Sequence, residues 1–421
     1  MYNYLINFID KNKILYKYQF GFRKFHSTNH TIISLVEKVN GALDSGNLLI
    51  GVFLDLKKAF DTVNHEILLN KLYKYGIRGN ILDWFRSYLS DRKQYVSMQD
   101  TNSTIETITC GVPQGSILGP LLFIIYINDL ANVSDLLFCI LFADDTSVFI
   151  NGTNLPDMIN TLNIELSKLS EWLSANKLSI NVAKSHFMIF HRSKIKVTHP
   201  EITLCNAPLI QVHYTKFLGV IIDDELNWRR HIAYIKNKIA KGMGITLKAR
   251  KFLSKKILIQ LYYSFVFPYL IYCIEVWGNA PDLHLDPLIK LQKKTIRIIT
   301  FSAYGAPTKN LFLNMQILPF KNLVFHRLGL QLFKFNVGDL PFALQNLFVK
   351  NSSFHNYNTR NKDKLRPAVG NHLYRYRDFS FISVHIWNYI CENIDISISF
   401  PKFKKVLKTF IQSNHFNFQL L

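Results

Sequence analysis

Between Leu136 and Ile150 the chain runs apolar, meets two adjacent carboxylates, Asp144 and Asp145, and runs apolar again (LLFCILFADDTSVFI). Two short apolar runs separated by polar residues make a β-hairpin, so this stretch commits the fold to antiparallel sheet with acid at its tip. Adjacent aspartates are a poor choice for stability there: each raises the pKa of the other, and Asp is a weak strand former. The pair therefore asks for a compensating partner. A hard divalent cation such as Mg²⁺ meets that need, since it takes carboxylate oxygens and leaves positions for phosphate and water. Alone, the pair is equally compatible with an ordinary solvated turn.

At 421 residues the chain is long enough for two or three domains with their own cores, and 48% hydrophobic residues exclude a disordered protein. Fifty Lys and Arg against 29 Asp and Glu leave a formal charge of +21. That charge favours a polyanionic partner, nucleic acid or an anionic membrane surface, and does not choose between them. The cysteines (Cys110, Cys139, Cys205, Cys273, Cys391) are odd in number, widely spaced and never C-x-x-C, which suggests neither a zinc site nor a disulfide partner and points to a reducing compartment. MYNYLINFIDKNK is broken too early by Asn and charge for a secretory signal. Ser264, Pro268 and Glu275 interrupt the apolar stretch Leu261 to Gly278, so a buried aromatic helix pair is expected there and no membrane span.

In chain order, QFGFRKFHST (Gln19 to Thr28) puts Arg23 in a basic loop that opens a helix running to Gly46, a reasonable phosphate contact although an ordinary surface loop is the commoner use of such a stretch. LLIGVFLDL (Leu48 to Leu56) reads as a strand covered on both faces with Asp55 near its end. KKAFDTVNHEILLNKLYKYGI reads as one helix stopped by Gly76, and a second covers Asn80 to Leu89. A hairpin then leads into GVPQGSILGP (Gly111 to Pro120), where Gly115 and Gly119 are expected to clear space for a group approaching the backbone and Gln114 offers a donor and an acceptor. A buried helix follows. Asp157 to Asn176 is amphipathic, Leu178 to Phe190 contains a strand and Lys184, and Tyr214 to Asp223 reads as a short strand with Gly219 in its middle. Past Asp224, two helices carry basic faces, one through Arg229, Arg230, Lys236, Lys238, Lys241 and Lys248, the other through Lys290, Lys293, Lys294 and Arg297. Two helices of one sign favour a phosphate-backbone track. Residues 301–421 alternate basic and aromatic side chains (His372, Tyr374, Arg375, Tyr376, Arg377) without repeat or metal spacing.

Three acids thus stand at the ends of apolar strands, Asp55 on one and Asp144 with Asp145 on a hairpin. Neighbouring strands in one sheet would bring them together around two Mg²⁺ ions ~4 Å apart, the arrangement that stabilises in-line phosphoryl displacement. FLDLKKAFDTV, GVPQGSILGPLLFIIYINDL and FADD, in that order and separation, resemble motifs A, B and C of reverse transcriptases from non-LTR retrotransposons, nearest the jockey-like group. QFGFRKFHST resembles the finger motif ahead of them, LSINVAKSHF motif D and KFLGVIID motif E.

The resemblance implies an α+β right-hand polymerase: a reverse transcriptase domain over 1–223 (partial fingers 1–46, palm 47–223 of sheet and helices), a helical basic thumb over 224–300, and a region of no assigned task beyond it. It implies metal ligation by Asp55 and Asp144, with the Leu56 carbonyl nearby and Asp145 less directly engaged, by two Mg²⁺ or Mn²⁺ ions. Phe60 falls at the sugar gate. Gln114 and Gly115 match residues that contact nucleotide and template, Ala143 packs beside the primer end, and Lys184 matches the lysine proposed to protonate pyrophosphate. Phe217, Leu218 and Gly219 match the primer grip. Implied partners are RNA template, DNA primer and deoxynucleoside triphosphates, in the nucleus or a cytoplasmic ribonucleoprotein. Family members carry more finger sequence, and many an endonuclease domain, where this chain has eighteen residues before Gln19, so an N-terminally truncated enzyme is expected. Two other readings remain: a catalytically inactive remnant that only binds nucleic acid, and a membrane-surface protein using the segment near Leu261.

Overall fold

A computed structural model describes residues 1–192, 201–353, 364–366 and 378–413; the basic-aromatic run from His372 to Arg377 lies outside the described residues. The chain packs as two compact units, one of residues 1–27 and 45–213, the other of 28–44 and 214–421. The segment expected to be fingers is thus shared between them.

In the first unit, α1 (Tyr2–Lys11) precedes β1 (Leu48–Leu54); the helix between them, α2 (Thr28–Asp44), belongs to the second unit. Every residue of β1 is buried, as its unbroken apolar run requires. After it come α3 (His65–Lys74), α4 (Asn80–Leu89) and four two-residue strands, β2 (Lys93–Gln94) to β5 (Glu106–Thr107) through β3 (Ser97–Met98) and β4 (Thr101–Asn102), which pair as β2–β5 and β3–β4. Then follow α5 (Leu118–Tyr126), β6 (Phe138–Phe142), β7 (Asp145–Gly152), α6 (Leu155–Ala175), β8 (His186–Phe190), the small ribbon β9 (Thr203–Leu204) and β10 (Ala207–Pro208), and β11 (Ile210–Gln211).

The main sheet has the order β11-β8-β1-β7-β6, with β1 antiparallel to both neighbours. Alternation decides which side faces the helices. Ile50, Val52 and Leu54 of β1, Val148 and Ile150 of β7 and Phe187 and Ile189 of β8 share one core with Leu68 and Leu72 of α3, Leu122 to Tyr126 of α5 and Leu162, Leu166, Leu169 and Leu173 of α6. Each fully buried aliphatic of this set contributes about 1.5–3 kcal/mol.

One helix is shorter than its periodicity suggests. Residues 57–61 form turns, Asn64 bridges to Cys110, and α3 starts only at His65, because Asn64 caps it by accepting the Ile67 N–H at 3.0 Å. The backbone ahead of the cap is already committed elsewhere: Lys57 donates to Ser179 O at 2.8 Å, and Phe60 O and Val63 O accept from Val112 and Gly111 at 2.9 and 2.7 Å. Long-range bonds have overridden a helical pattern.

In the second unit, Tyr214 to Asp223 is a hairpin where one strand was expected: β12 (Tyr214–Phe217) and β13 (Val220–Asp223) pair across a turn in which Leu218 and Gly219 both have positive φ, +44° and +87°. Glycine is needed there for conformation. Asp223 then accepts the N–H groups of Asn227 and Trp228 at 3.0 and 3.2 Å ahead of α7 (Arg229–Ala249). The stretch around Leu261 breaks into α8 (Lys255–Phe265), α9 (Phe267–Ile271) and α10 (Ile274–Trp277), and no helix among the described residues is long and apolar enough to cross a membrane. The basic helix α11 (Asp282–Ile299) packs on α7, and α12 (Lys309–Asn314), α13 (Phe320–Asn336), α14 (Phe342–Gln345), α15 (Phe379–Asn393) and α16 (Phe400–Ser413) complete the described elements.

Polar bonds explain why α2 belongs here. Glu37 accepts the Ser380 N–H at 3.0 Å and Asn40 donates to Asp378 at 2.7 Å, so α2 supplies partners for the start of α15. Buried histidines make this unit acid-sensitive. Burial holds His231, whose Nδ1 accepts the Ile221 N–H at 3.2 Å, down to about 4. His326 is likewise lowered to about 4 by burial, with the charges of Arg327, Lys404 and Lys408 adding to the effect. A histidine depressed in the fold titrates near 6.5 once unfolded, so the unfolded chain takes up protons first. Stability is therefore full above pH 6.5 and lost as pH falls toward 4, by up to ~3 kcal/mol per histidine. Thermal melts should show a midpoint falling across pH 6.5 to 4, with a shallower slope in His231→Asn; a midpoint flat over that range would refute the account.

Candidate active site

The β6–β7 pairing is continuous to Phe142↔Asp145, leaving Ala143 and Asp144 as a two-residue loop. On the other side of β7, Leu54 pairs with Thr146, so Asp55, the next residue, comes level with Asp145. The sheet register alone thus brings the three acids to one edge. Their charges are felt: the Asp145 carboxyl is raised to about 6, first by loss of water around it, although the residue as a whole stays exposed, and then by the charges of Asp144 and Asp55. Among the described residues no group of three or more His, Cys, Asp or Glu is gathered into a ready-made metal site. The donor chemistry nonetheless fits a hard divalent cation, which prefers carboxylate oxygens and would relieve the repulsion registered at Asp145.

Asp55 is held through its backbone. Its N–H donates to Ser185 Oγ at 3.1 Å and its carbonyl accepts from Asn181 at 2.7 Å, while Ser185 Oγ donates to Asn181 O at 3.0 Å. Leu56 bridges to Ile180. The loop that carries Lys184 is therefore the loop that supports Asp55, and Lys184 itself is exposed. No local pattern in the sequence marks Ser185 for this task, because its partner lies 130 positions away.

Phe60 is fixed by aromatic packing: its ring stacks on Phe123 of α5 with centroids 4.4 Å apart, and the exposed Phe22 meets it edge-on at 6.2 Å. Next to it, Gln114 Nε2 donates to Asp61 Oδ1 at 2.7 Å, a bond that ties the glycine-rich loop to the turn after β1. The two glycines of that loop differ in purpose. Gly119 does clear a close approach, since a methyl there would lie 2.6 Å from Pro113 O, whereas Gly115 faces open space and is required by its φ of +78°. Arg23 spends its Nη1 on the carbonyls of Tyr16 and Gln19, at 3.0 and 3.1 Å, so this part of the guanidinium shapes its own loop.

Phe217, Leu218 and Gly219 belong to the second unit, on the hairpin turn. There Tyr272 donates its hydroxyl to Leu218 O at 2.6 Å, and its ring would lie 3.1 Å from a methyl at position 219. Lys236, Lys241 and Lys248 of α7 and Lys290 and Lys293 of α11 are exposed and enter no ion pair among the described residues. Their positive charge is left uncompensated.

Residues 2–222 match a family model described as reverse transcriptase (RNA-dependent DNA polymerase). The RNA-directed DNA polymerase from mobile element jockey of Drosophila funebris is 31% identical over 312 residues, 72% of this chain and 34% of that protein. The probable RNA-directed DNA polymerase from transposon X-element of Drosophila melanogaster is 30% identical over 304 residues, 70% of this chain and 33% of that protein. The chain spans about a third of the length of these curated relatives. Among solved structures, apo telomerase from Candida tropicalis is 12% identical over 77% of this chain and 54% of that chain, with a TM-score of 0.44.

Proposed function

Because the chain belongs to the reverse transcriptase (RNA-dependent DNA polymerase) family, we propose that it carries the polymerising part of a non-LTR retrotransposon enzyme and adds deoxynucleotides to a primer 3′-hydroxyl on an RNA template. The observation that carries this reading is the strand register, which sets Asp55 level with Asp145 and beside the loop of Ala143 and Asp144, so that the three carboxylates gather at one end of the sheet. In this reading Asp55 and Asp144 hold two divalent ions, Mg²⁺ or Mn²⁺, with the Leu56 carbonyl beside them and Asp145 less directly engaged. The ions, when bound, supply acidity to the primer hydroxyl and charge neutralisation to the triphosphate and pyrophosphate.

The remaining work falls to side chains. Gln114 and Gly115 meet the incoming nucleotide and template, the open space over Gly115 leaving its backbone accessible. Arg23 borders the triphosphate, Ala143 borders the primer end, and Lys184 delivers a proton to the leaving pyrophosphate. Phe217 to Gly219 grip the primer. The uncompensated lysines of α7 and α11 follow the phosphate backbone, which makes residues 224–300 a thumb, with residues 1–46 partial fingers and 47–223 the palm. Extension of oligo(dT) on poly(rA) with Mg²⁺ and dTTP tests the whole. Incorporation supports it; tight binding without incorporation favours the inactive remnant, and liposome co-sedimentation that survives high salt favours the membrane-surface reading.

Phe60 acts as the sugar gate by filling the room a 2′-hydroxyl would need. Its stack on Phe123 prevents the ring from swinging aside. Phe60→Val is expected to cut discrimination against ribonucleotides by about 10- to 100-fold, measured as the ratio of kcat/KM for dNTP and rNTP. Unchanged sugar selection would remove Phe60 from this role.

A further inference from the structure

The two-residue loop that carries Asp144 has an odd composition. Its first residue is the one that takes positive φ in such hairpins, a place normally given to Gly or Asn, yet here it is Ala143 at φ +56°. An alanine in that region costs about 1–2 kcal/mol and stays there only when its surroundings hold it.

Those surroundings come from the segment Tyr18 to Gly21, which runs along the free edge of β6. Phe20 donates to Leu141 O at 2.8 Å and Leu141 donates to Tyr18 O at 3.0 Å, a parallel bridge centred on Gln19. The Gln19 side chain is fully buried, and its Oε1 accepts two backbone N–H groups, that of Gly21 at 2.9 Å and that of Ala143 at 3.1 Å. Because both partners are donors, the amide oxygen must be the atom that faces them. Its Nε2 has no partner among the described residues, so only the acceptor end is in use. Gly21 allows the approach, since a methyl there would lie 2.4 Å from Ala143 N.

We propose that Gln19 is a positioning residue for the catalytic turn: one buried oxygen, bonded to Ala143 N–H and Gly21 N–H, sets the backbone of residue 143 and thereby the direction of the Asp144 carboxylate toward its metal ion. This rests on the reading of Asp144 as a metal ligand and deepens it. A partner one bond removed from a ligand commonly changes metal affinity 10- to 100-fold when lost.

The test compares wild type, Gln19→Met, which keeps length and apolar contact and removes the acceptor, and Gln19→Glu, which keeps an acceptor oxygen. Three readouts are taken: calorimetric Mn²⁺ binding to the protein alone, exchange of the Ala143 amide hydrogen, and the Mg²⁺ concentration for half-maximal primer extension. Gln19→Met should weaken Mn²⁺ binding and raise the Mg²⁺ requirement, each by about tenfold or more. It should also speed Ala143 exchange, with primer–template affinity unchanged and Gln19→Glu recovering most of the metal affinity. Wild-type metal binding and wild-type Ala143 exchange in Gln19→Met would overturn the proposal, as would equal loss in both variants. If the wild type binds Mn²⁺ and Gln19→Met does not, but neither extends a primer, Gln19 keeps its role and the polymerase reading falls.

Discussion

Asp144→Asn is expected to abolish template-directed incorporation, at least ~10³-fold, while RNA affinity stays near the wild-type value. The magnitude follows from charge: a ligand carboxylate made neutral forfeits several kcal/mol of the stabilisation that a divalent ion gives to the transition state. RNA affinity is expected to be spared because the proposed track for the phosphate backbone is the basic face of α7 and α11, far along the sequence from Asp144. A second readout separates electrostatics from misfolding. Asp145 sits at about 6 in part because Asp144 and Asp55 are charged beside it. An acid raised in the fold binds protons there that the unfolded chain, titrating near 3.8, has already released, so stability falls as pH rises from 3.8 to 6 and stays reduced above. Removing the Asp144 charge relieves this, so the metal-free variant should melt no lower than wild type at pH 7. Mg²⁺ is expected to raise the melting midpoint of the wild type and not that of the variant, an effect that should weaken below pH 6 as Asp145 takes a proton. A variant that lost RNA binding and incorporation together would reject the metal assignment.

Gly21→Ala should be the second most damaging change, although residue 21 carries no chemistry. The new methyl would lie 2.4 Å from the Ala143 backbone nitrogen, and neither side of that contact is a flexible chain end. The acidic loop must therefore move, and displacing a reacting group by about 1 Å costs on the order of 10²-fold in rate. Overpacking of this kind also costs about 1–3 kcal/mol in stability. Gly41→Ala is the control: on α2 an added methyl meets nothing within 4 Å, so it should gain roughly 0.5–1 kcal/mol and leave incorporation intact. Near-wild-type turnover in Gly21→Ala would show that the approach of the two backbones is not needed.

Much of the fold was legible where the pattern is local. The span expected for α4, Asn80 to Leu89, agrees with the structure, β1 is buried throughout, and the acidic hairpin forms, although it turns at Ala143 and Asp144, with Asp145 already the first residue of β7 and not at the tip. In each case a period of two or of 3.6, or one apolar run, carries the information within a few residues. Failures came where distant backbone competes for the same groups. Residues 57–64 look helical but give their carbonyls to Val112 and Gly111, and Tyr214 to Asp223 reverses at a turn that a Gly inside an apolar run does not announce.

The candidate site divides the same way. Residue chemistry and order along the chain singled out Asp55, Asp144, Asp145 and Gln114, since carboxylates at strand ends and a Gly-rich loop before a buried helix are one-dimensional features, whereas Phe60 was marked only by the resemblance of FLDLKKAFDTV to the family's motif A. The register that levels Asp55 with Asp145, the Ser185 bond behind Asp55, the Phe123 ring behind Phe60 and the Gln19 oxygen beneath Ala143 had to wait for three dimensions. A sequence specifies which groups repel and which are apolar, because those are properties of single residues and their near neighbours. Which N–H meets which oxygen across 124 positions is settled only when the sheet closes, because such a bond carries no pattern of its own until packing brings its two ends together.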